Sequence, residues 1–203
     1  MNPRVLRRFI IIAGISTFVM FSFWAVFKSV WESPPGDYEV RQGDILLTDR
    51  KFDEAMDRFD GALKISPNHR GALMGRALVY LQSERYPEAE AELTFLIDYL
   101  KKSLESDDRT GIGTLAAAYS NRGILYDRTG RYEKALADYI DALKTDAEAV
   151  DGPGIVDKVI YGTPDAATVK NRAIYLKQQL DLPKEKRLLR IPEIDKKQRT
   201  YKP

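Results

Sequence analysis

Apolar residues fall into three regimes along the chain. From Phe9 to Phe27 a run of 19 residues carries no charge. From Gly36 to about Ala149 apolar side chains return every three or four positions on a polar background, and beyond Pro183 no period is sustained. At about 1.5 Å per residue, a helix over the first run spans roughly 28 Å, close to the hydrocarbon thickness of a bilayer. Residues 9–27 are therefore predicted to cross a membrane. Ser16, Thr17 and Ser22 do not veto insertion, because their hydroxyls can bond the helix's own carbonyls. Trp24 and Trp31 stand near the distal end, where indole favours the interface. The run continues into Lys28-Ser29-Val30-Trp31-Glu32 without the small-x-small site of a cleaved leader, which predicts an uncleaved signal-anchor. The pair Arg7-Arg8 reads as the positive flank of that anchor. Arg4, Arg7 and Arg8 precede the span and only Lys28 closely follows it. The positive-inside rule then places the N-terminus in the cytoplasm and the body on the opposite side, the periplasm if the cell is bacterial. Residues 1–31 are thus assigned to a cytoplasmic stub and anchor, and 32–36, with Ser33-Pro34-Pro35-Gly36, to a stiff linker.

The second regime repeats itself. Segments starting at Gly36 and Arg70, 34 residues apart, superimpose Gly43 on Ala77, Leu46 on Tyr80, Phe52 on Tyr86, Ala55 on Ala89, Phe59 on Leu93 and Ala62 on Leu96, and Pro67 closes the first. A third copy from Ala116 puts Tyr119, Gly123, Tyr126, Tyr132, Ala135, Tyr139 and Ala142 at the same offsets, 12 residues later than strict phasing requires. These positions resemble the tetratricopeptide repeat: a small residue and a tyrosine on helix A, an aromatic at the turn, and alanine, aromatic, alanine on helix B. Glu39 departs from the opening aromatic, and Lys101 from the closing proline. The resemblance implies an all-α helical solenoid of about three repeats over residues 37–149, behind the transmembrane helix. Stacking buries apolar faces that no helix pair covers alone.

The extra residues are placed at about 102–115. Phe95, Leu96, Tyr99 and Leu100 keep helical spacing, and Asp107-Asp108-Arg109-Thr110-Gly111-Ile112-Gly113 reads as a loop. Residues 150–182 are predicted to cap the array. Thr163-Pro164-Asp165-Ala166 gives a helix start, and Ala166, Val169, Ala173, Leu176 and Leu180 form one stripe. Whether 154–162 completes a degenerate fourth repeat is left open. Residues 183–203 are predicted to be an extended basic tail.

Charge follows the same division. The first 31 residues hold four basic side chains and no acid; residues 32–182 hold 20 basic and 27 acidic; residues 183–203 hold 8 basic and 3 acidic. The overall charge of +2 conceals a net −7 body and a net +5 tail. There is no cysteine, which excludes disulfides, thiolate metal sites and cysteine nucleophiles. The single histidine, His69, lacks the companions of a triad or a two-histidine metal site. Gly111-x-Gly113 is a fragment of a phosphate loop, and Asp107-Asp108 lacks the ligand series of a calcium loop. No catalytic, cofactor or metal site is expected, and the chain is not expected to be an enzyme. Basic residues of the body are interleaved with an excess of acid, so a nucleic-acid stripe is not expected either.

Binding is what remains. In the tetratricopeptide family helix A lines a groove, and carried over position by position this implies a protein-binding set of Val40, Asp44, Leu47, Met74, Leu78, Leu81, Ser120, Ile124 and Asp127, with Asp37, Gly71 and Ala117 beside them. The set is mostly apolar with acids at both ends. It suits an apolar extended segment or an amphipathic helix if open, whereas the capping helix or the tail covers part of it otherwise. The positions that clamp acidic chaperone C-termini in some relatives hold Val40, Asp44, Met74 and Leu78 here, with only Asn121 reminiscent, so no carboxylate-clamp ligand is expected. The expectation is a membrane-anchored protein–protein interaction scaffold, an accessory subunit or assembly factor of a membrane protein complex. The alternative is a membrane-surface organiser that uses the basic tail and self-association.

Overall fold

The computed structural model describes residues 3–31, 34–150, 168–191, 198, 200 and 201; the side chains of 26–31 lie outside that description. The described residues form α1 (Pro3–Trp31), α2 (Asp37–Thr48), α3 (Phe52–Ile65), α4 (Arg70–Gln82), α5 (Tyr86–Ser103), α6 (Arg109–Arg128), α7 (Tyr132–Thr145), α8 (Val169–Leu180) and a 3-10 turn at Lys184–Lys186. All regular structure among them is helical.

Helix α1 contains a 23-residue candidate span, Pro3–Ala25, with three arginines in its first six residues, mean hydropathy 1.7 and none of it buried in the rest of the chain. It is long and apolar enough to span a membrane. Thr17 donates its hydroxyl to the Ala13 carbonyl at 2.8 Å, which satisfies a polar group that hydrocarbon cannot.

The next six helices form three hairpins, α2–α3, α4–α5 and α6–α7, each with an A helix followed by a B helix. A helices also pack on the A helix of the next hairpin, and B helices on the following A helix. Each A-to-B turn ends its helix with the same two bonds. Arg50 N–H reaches Leu47 O and Lys51 N–H reaches Leu46 O; Glu84 and Arg85, then Gly130 and Arg131, repeat the pattern. That is the Schellman geometry, and it needs one residue in the left-handed region. Arg50 (φ 60°), Glu84 (φ 62°) and Gly130 (φ 74°) supply it.

The core is the repeat periodicity made solid. Phe59, Leu93 and Tyr139 occupy equivalent B-helix positions and are fully buried, as are Ala55, Ala89, Ala135, Ala62, Leu96 and Ala142. The Phe59 ring lies between two A helices. A Cβ built on Gly43 would come within 2.5 Å of that ring, and one on Gly75 within 2.3 Å. Such approaches are below van der Waals contact, so both positions require the missing side chain.

The loop expected at 107–113 is shorter and earlier, at 104–108. Helix α5 runs on to Ser103, α6 begins at Arg109, and both are long, at 18 and 20 residues. The helical spacing through Tyr99 and Leu100 already implied a longer α5; the early start of α6, over residues expected to be loop, is the departure. Asp108 is the N-cap and accepts from the Gly111 N–H at 2.8 Å. Gly111 is helical because the space is tight, not because the chain turns. A Cβ there would press on the Arg70 guanidinium, a Leu104 methyl and the Asp108 carboxylate.

Helix α8 packs on α7. Thr168 caps it by accepting from the Asn171 N–H at 3.2 Å, and Val169, Ala173 and Leu176 are buried. The start expected at 163–166 and the open question over 154–162 lie outside the described residues, as do Pro192, Ile194 and Pro203 of the tail.

Candidate functional site

The A-helix face of α2, α4 and α6 has two halves. Upstream, a cavity of about 640 Å³ opens between the N-terminal parts of these helices and the end of α5. Val40, Gly71 and Met74 contribute to its floor, and Asp37, Asp44, His69, Arg70, Asp108, Thr110 and Thr114 to its walls. The lengthened start of α6 lines one side of it through Thr110 and Thr114.

Two links fix those walls. The backbone N–H of Ala72 can only donate, and it meets His69 Nδ1 at 3.4 Å. The His69 proton therefore sits on Nε2, from which it is donated to Asp37 Oδ1 at 2.9 Å. His69 thus caps α4 and ties it to the first turn of α2. On the far side Arg70, the first residue of α4, pairs with Asp108. The Gly111 N–H and the Arg70 guanidinium hold the Asp108 carboxyl below its ordinary value.

Downstream the same face is filled. Tyr201 lies against α6, with its N–H donated to Asn121 Oδ1 at 2.8 Å and its carbonyl accepting from Asn121 Nδ2 at 2.6 Å. Its hydroxyl accepts from the Val169 N–H at the start of α8, at 3.3 Å. Gln198 donates to the Tyr139 hydroxyl at 2.7 Å and to Asp127 Oδ2 at 3.2 Å. Asp127 also receives both arms of Arg172, at 2.7 Å each, and the Tyr139 hydroxyl at 3.2 Å. Arg172 further donates to the Leu189 carbonyl at 3.0 Å. Burial, and after it the Asp127 charge, pushes the Tyr139 phenol well above its ordinary value, so it stays a donor.

The nine residues assigned to the groove divide accordingly. Val40, Asp44 and Met74 line the open cavity, although Val40 and Met74 are themselves buried. Leu47, Leu78, Leu81, Ser120 and Ile124 are buried and do not line it; Ser120 returns its hydroxyl to Ala116 O at 2.9 Å. Asp127 is buried in the ion pair with Arg172. The sequence places His69 at the junction of the first two repeats in a structural or rim role, whereas nothing in it singles out Arg70 as a wall residue or Arg172, Gln198 and Tyr201 as filling ones. A repeat-encoded tie was also passed over. Arg76 and Arg122, at one repeat position, reach acids 16 residues on, Glu92 at 2.9 Å and Asp138 at 2.7 Å. The arginine at a shared offset was the signal for it.

Comparison with known proteins agrees with this architecture. Residues 46–102 and 116–148 each match a tetratricopeptide-repeat family model. No curated protein matches the chain. Among solved structures it is similar to the first TPR of Spaghetti (RPAP3) bound to the HSP90 peptide SRMEEVD, with TM-score 0.51 and 18% identity over 74% of this chain and 97% of that one. The Arabidopsis OM64 TPR domain gives 0.47 and 20% over 63% and 92%. The Sgt2 TPR domain from Aspergillus fumigatus gives 0.48 and 18% over 74% and 87%. The chain carries tetratricopeptide repeats in an all-helical solenoid, a fold of protein–protein interaction.

Proposed function

We propose that this repeat-bearing chain is a membrane-anchored interaction scaffold, an accessory subunit or assembly factor of a membrane protein complex, and that its partner docks in the upstream cavity of the A-helix face. The observation that supports this is the combination of an open cavity with apolar floor residues and an acid-rich wall, on a chain whose first helix has the length and apolarity of a membrane span. Tethering to a bilayer raises the effective concentration of the array near other membrane proteins, so a modest contact suffices. Val40 and Met74 suit an apolar side chain. Asp37, Asp44 and Asp108 outnumber Arg70 around them, which favours a segment with flanking basic residues. The acidic peptide held by the Spaghetti domain has the opposite charge, and we do not extend that ligand class to this chain.

The test is affinity purification of the full chain in mild detergent with mass spectrometry, beside the variant Asp44→Lys, Thr110→Arg. Both changes lie on the cavity wall and spare the buried floor. The expected result is one membrane complex recovered in fixed proportion with the wild type and lost with the variant, whose helical circular dichroism is unchanged. Retention of the complex by the variant would remove the cavity from the mechanism.

A further inference from the structure

The first helix of the array keeps an interior surface on its outer side. Tyr38 and Ile45 stand two turns apart on α2 and are 61% and 57% exposed. The positions 34 residues on are Ala72 and Val79, and those of the third copy are Ala118 and Leu125; all four are buried. In α4 and α6 that side is covered by the preceding hairpin, α3 on α4 and α5 on α6. Among the described residues no hairpin precedes α2. The terminal unit of a solenoid turns a polar outer side to water, whereas α2 keeps the apolar residues of a stacked one. Beside Ile45 a groove of about 450 Å³ runs between α2 and α3, lined also by Gln42, Leu46, Glu54, Asp57 and Arg58.

We propose that this outer side of α2 is the interface for a second copy of the chain, with the two α2 helices paired antiparallel about a two-fold axis. The equivalent sides of α4 and α6 each receive a helix, so the surface has the form of a helix contact rather than of a lipid contact. Its charges are of both signs, Arg58 beside Glu54 and Asp57. A copy of the same surface complements that mixture, and an anionic headgroup layer does not. The two apolar residues are seven positions apart. An axis midway between them, beside Gln42, sets Tyr38 of each copy against Ile45 of the other, an isologous contact. Helix α2 has 12 residues and so is about 18 Å long, while linker 32–36 reaches about 20 Å. Both anchors of the pair therefore reach one bilayer, and tethering there raises the concentration of each copy around the other. The pairing rests on the side chains of α2 and α3 and not on the anchor. It leaves Val40 and Asp44, on the other side of α2, free to line the upstream cavity.

The experiment measures the protein mass of the full chain in mild detergent by light scattering after size exclusion. The wild type is expected at twice the chain mass. Tyr38→Lys with Ile45→Lys sets like charges against each other at both contacts and halves that mass, with helical circular dichroism unchanged. Tyr38→Lys with Ile45→Glu sets opposite charges there and restores the dimer. The chain has no cysteine, so Gln42→Cys places a single thiol beside the axis and oxidation links the copies through it. Lys177→Cys, exposed on α8, gives no such link. The Asp44→Lys, Thr110→Arg variant dimerises as the wild type does, which separates this surface from the upstream cavity. A monomeric wild type overturns the proposal and leaves the surface to a helix of another protein or to lipid. A dimer that survives Tyr38→Lys with Ile45→Lys overturns it too, since α1 or another surface would then hold the copies together. Monomers from both charge variants overturn the antiparallel pairing.

Discussion

The residue on which the downstream end depends is Arg172. Its side chain and that of Asp127 are only 3% and 5% exposed, so both charges have left water. Attraction between them offsets that loss only because the geometry is bidentate and the remaining carboxylate lone pairs are taken by Tyr139 and Gln198. Removing one partner is therefore far worse than removing both. Arg172→Met strands a buried carboxylate and is expected to cost about 3–5 kcal/mol, whereas Arg172→Met with Asp127→Leu recovers most of it. Urea unfolding of the two variants beside the wild type measures the difference, and equal losses would mean that the pair is not coupled. Asp127 was legible from its place in the third repeat. Arg172 was not. It lies one residue before Ala173 of the apolar stripe, and its partner is 45 residues away, a distance at which no local pattern signals a contact.

At the scale of elements, the repeats were legible because small and large residues recur at the spacing that helix packing demands. Gly43 and Phe59 sit opposite each other in the structure as the repeat implied, and Gly123 faces Tyr139 in the same way. The insertion differs from its expected loop for a related reason. Gly111 and Gly113 look like turn residues in a polar stretch, but glycine marks either a turn or a close approach, and here Leu104 and Arg70 press on the helix. What starts α6 is Asp108, which joins its first turn to Arg70 of α4. The native state holds this carboxyl below its ordinary value of 3.8. Its stabilising contribution is therefore complete above that value and fades as the pH falls through and below it. Asp108→Ala is expected to lower the melting temperature near pH 7, with the gap to wild type narrowing as the pH falls below 3.8. Thermal melts by circular dichroism across that range check it. A constant gap would assign the loss to helix propensity rather than to the charge.

For the whole molecule, the division of charge carries the argument. An unbroken apolar helix with three arginines before it and an acidic body after it has a preferred way to sit in a bilayer, because basic flanks stay on the side of insertion. The extended tail read from the sequence is net +5, and at Gln198 and Tyr201 it returns to the array's own A-helix face. Nothing in its local composition specified that return, since a hydrogen bond to Asn121 is encoded only by the fold that brings the two together. The topology prediction uses the absence of cysteine, which makes any introduced thiol unique. Lys64→Cys, exposed at the end of α3, is expected to react with a membrane-impermeant maleimide applied from the non-cytoplasmic face of sealed vesicles, and Asn2→Cys to react only when the cytoplasmic face is presented. The reverse pattern would place the repeats in the cytoplasm and move the search for partners to that side. Labelling of both thiols from one face would mean that Pro3–Trp31 does not span the bilayer, and the membrane anchor would be removed from the proposed function.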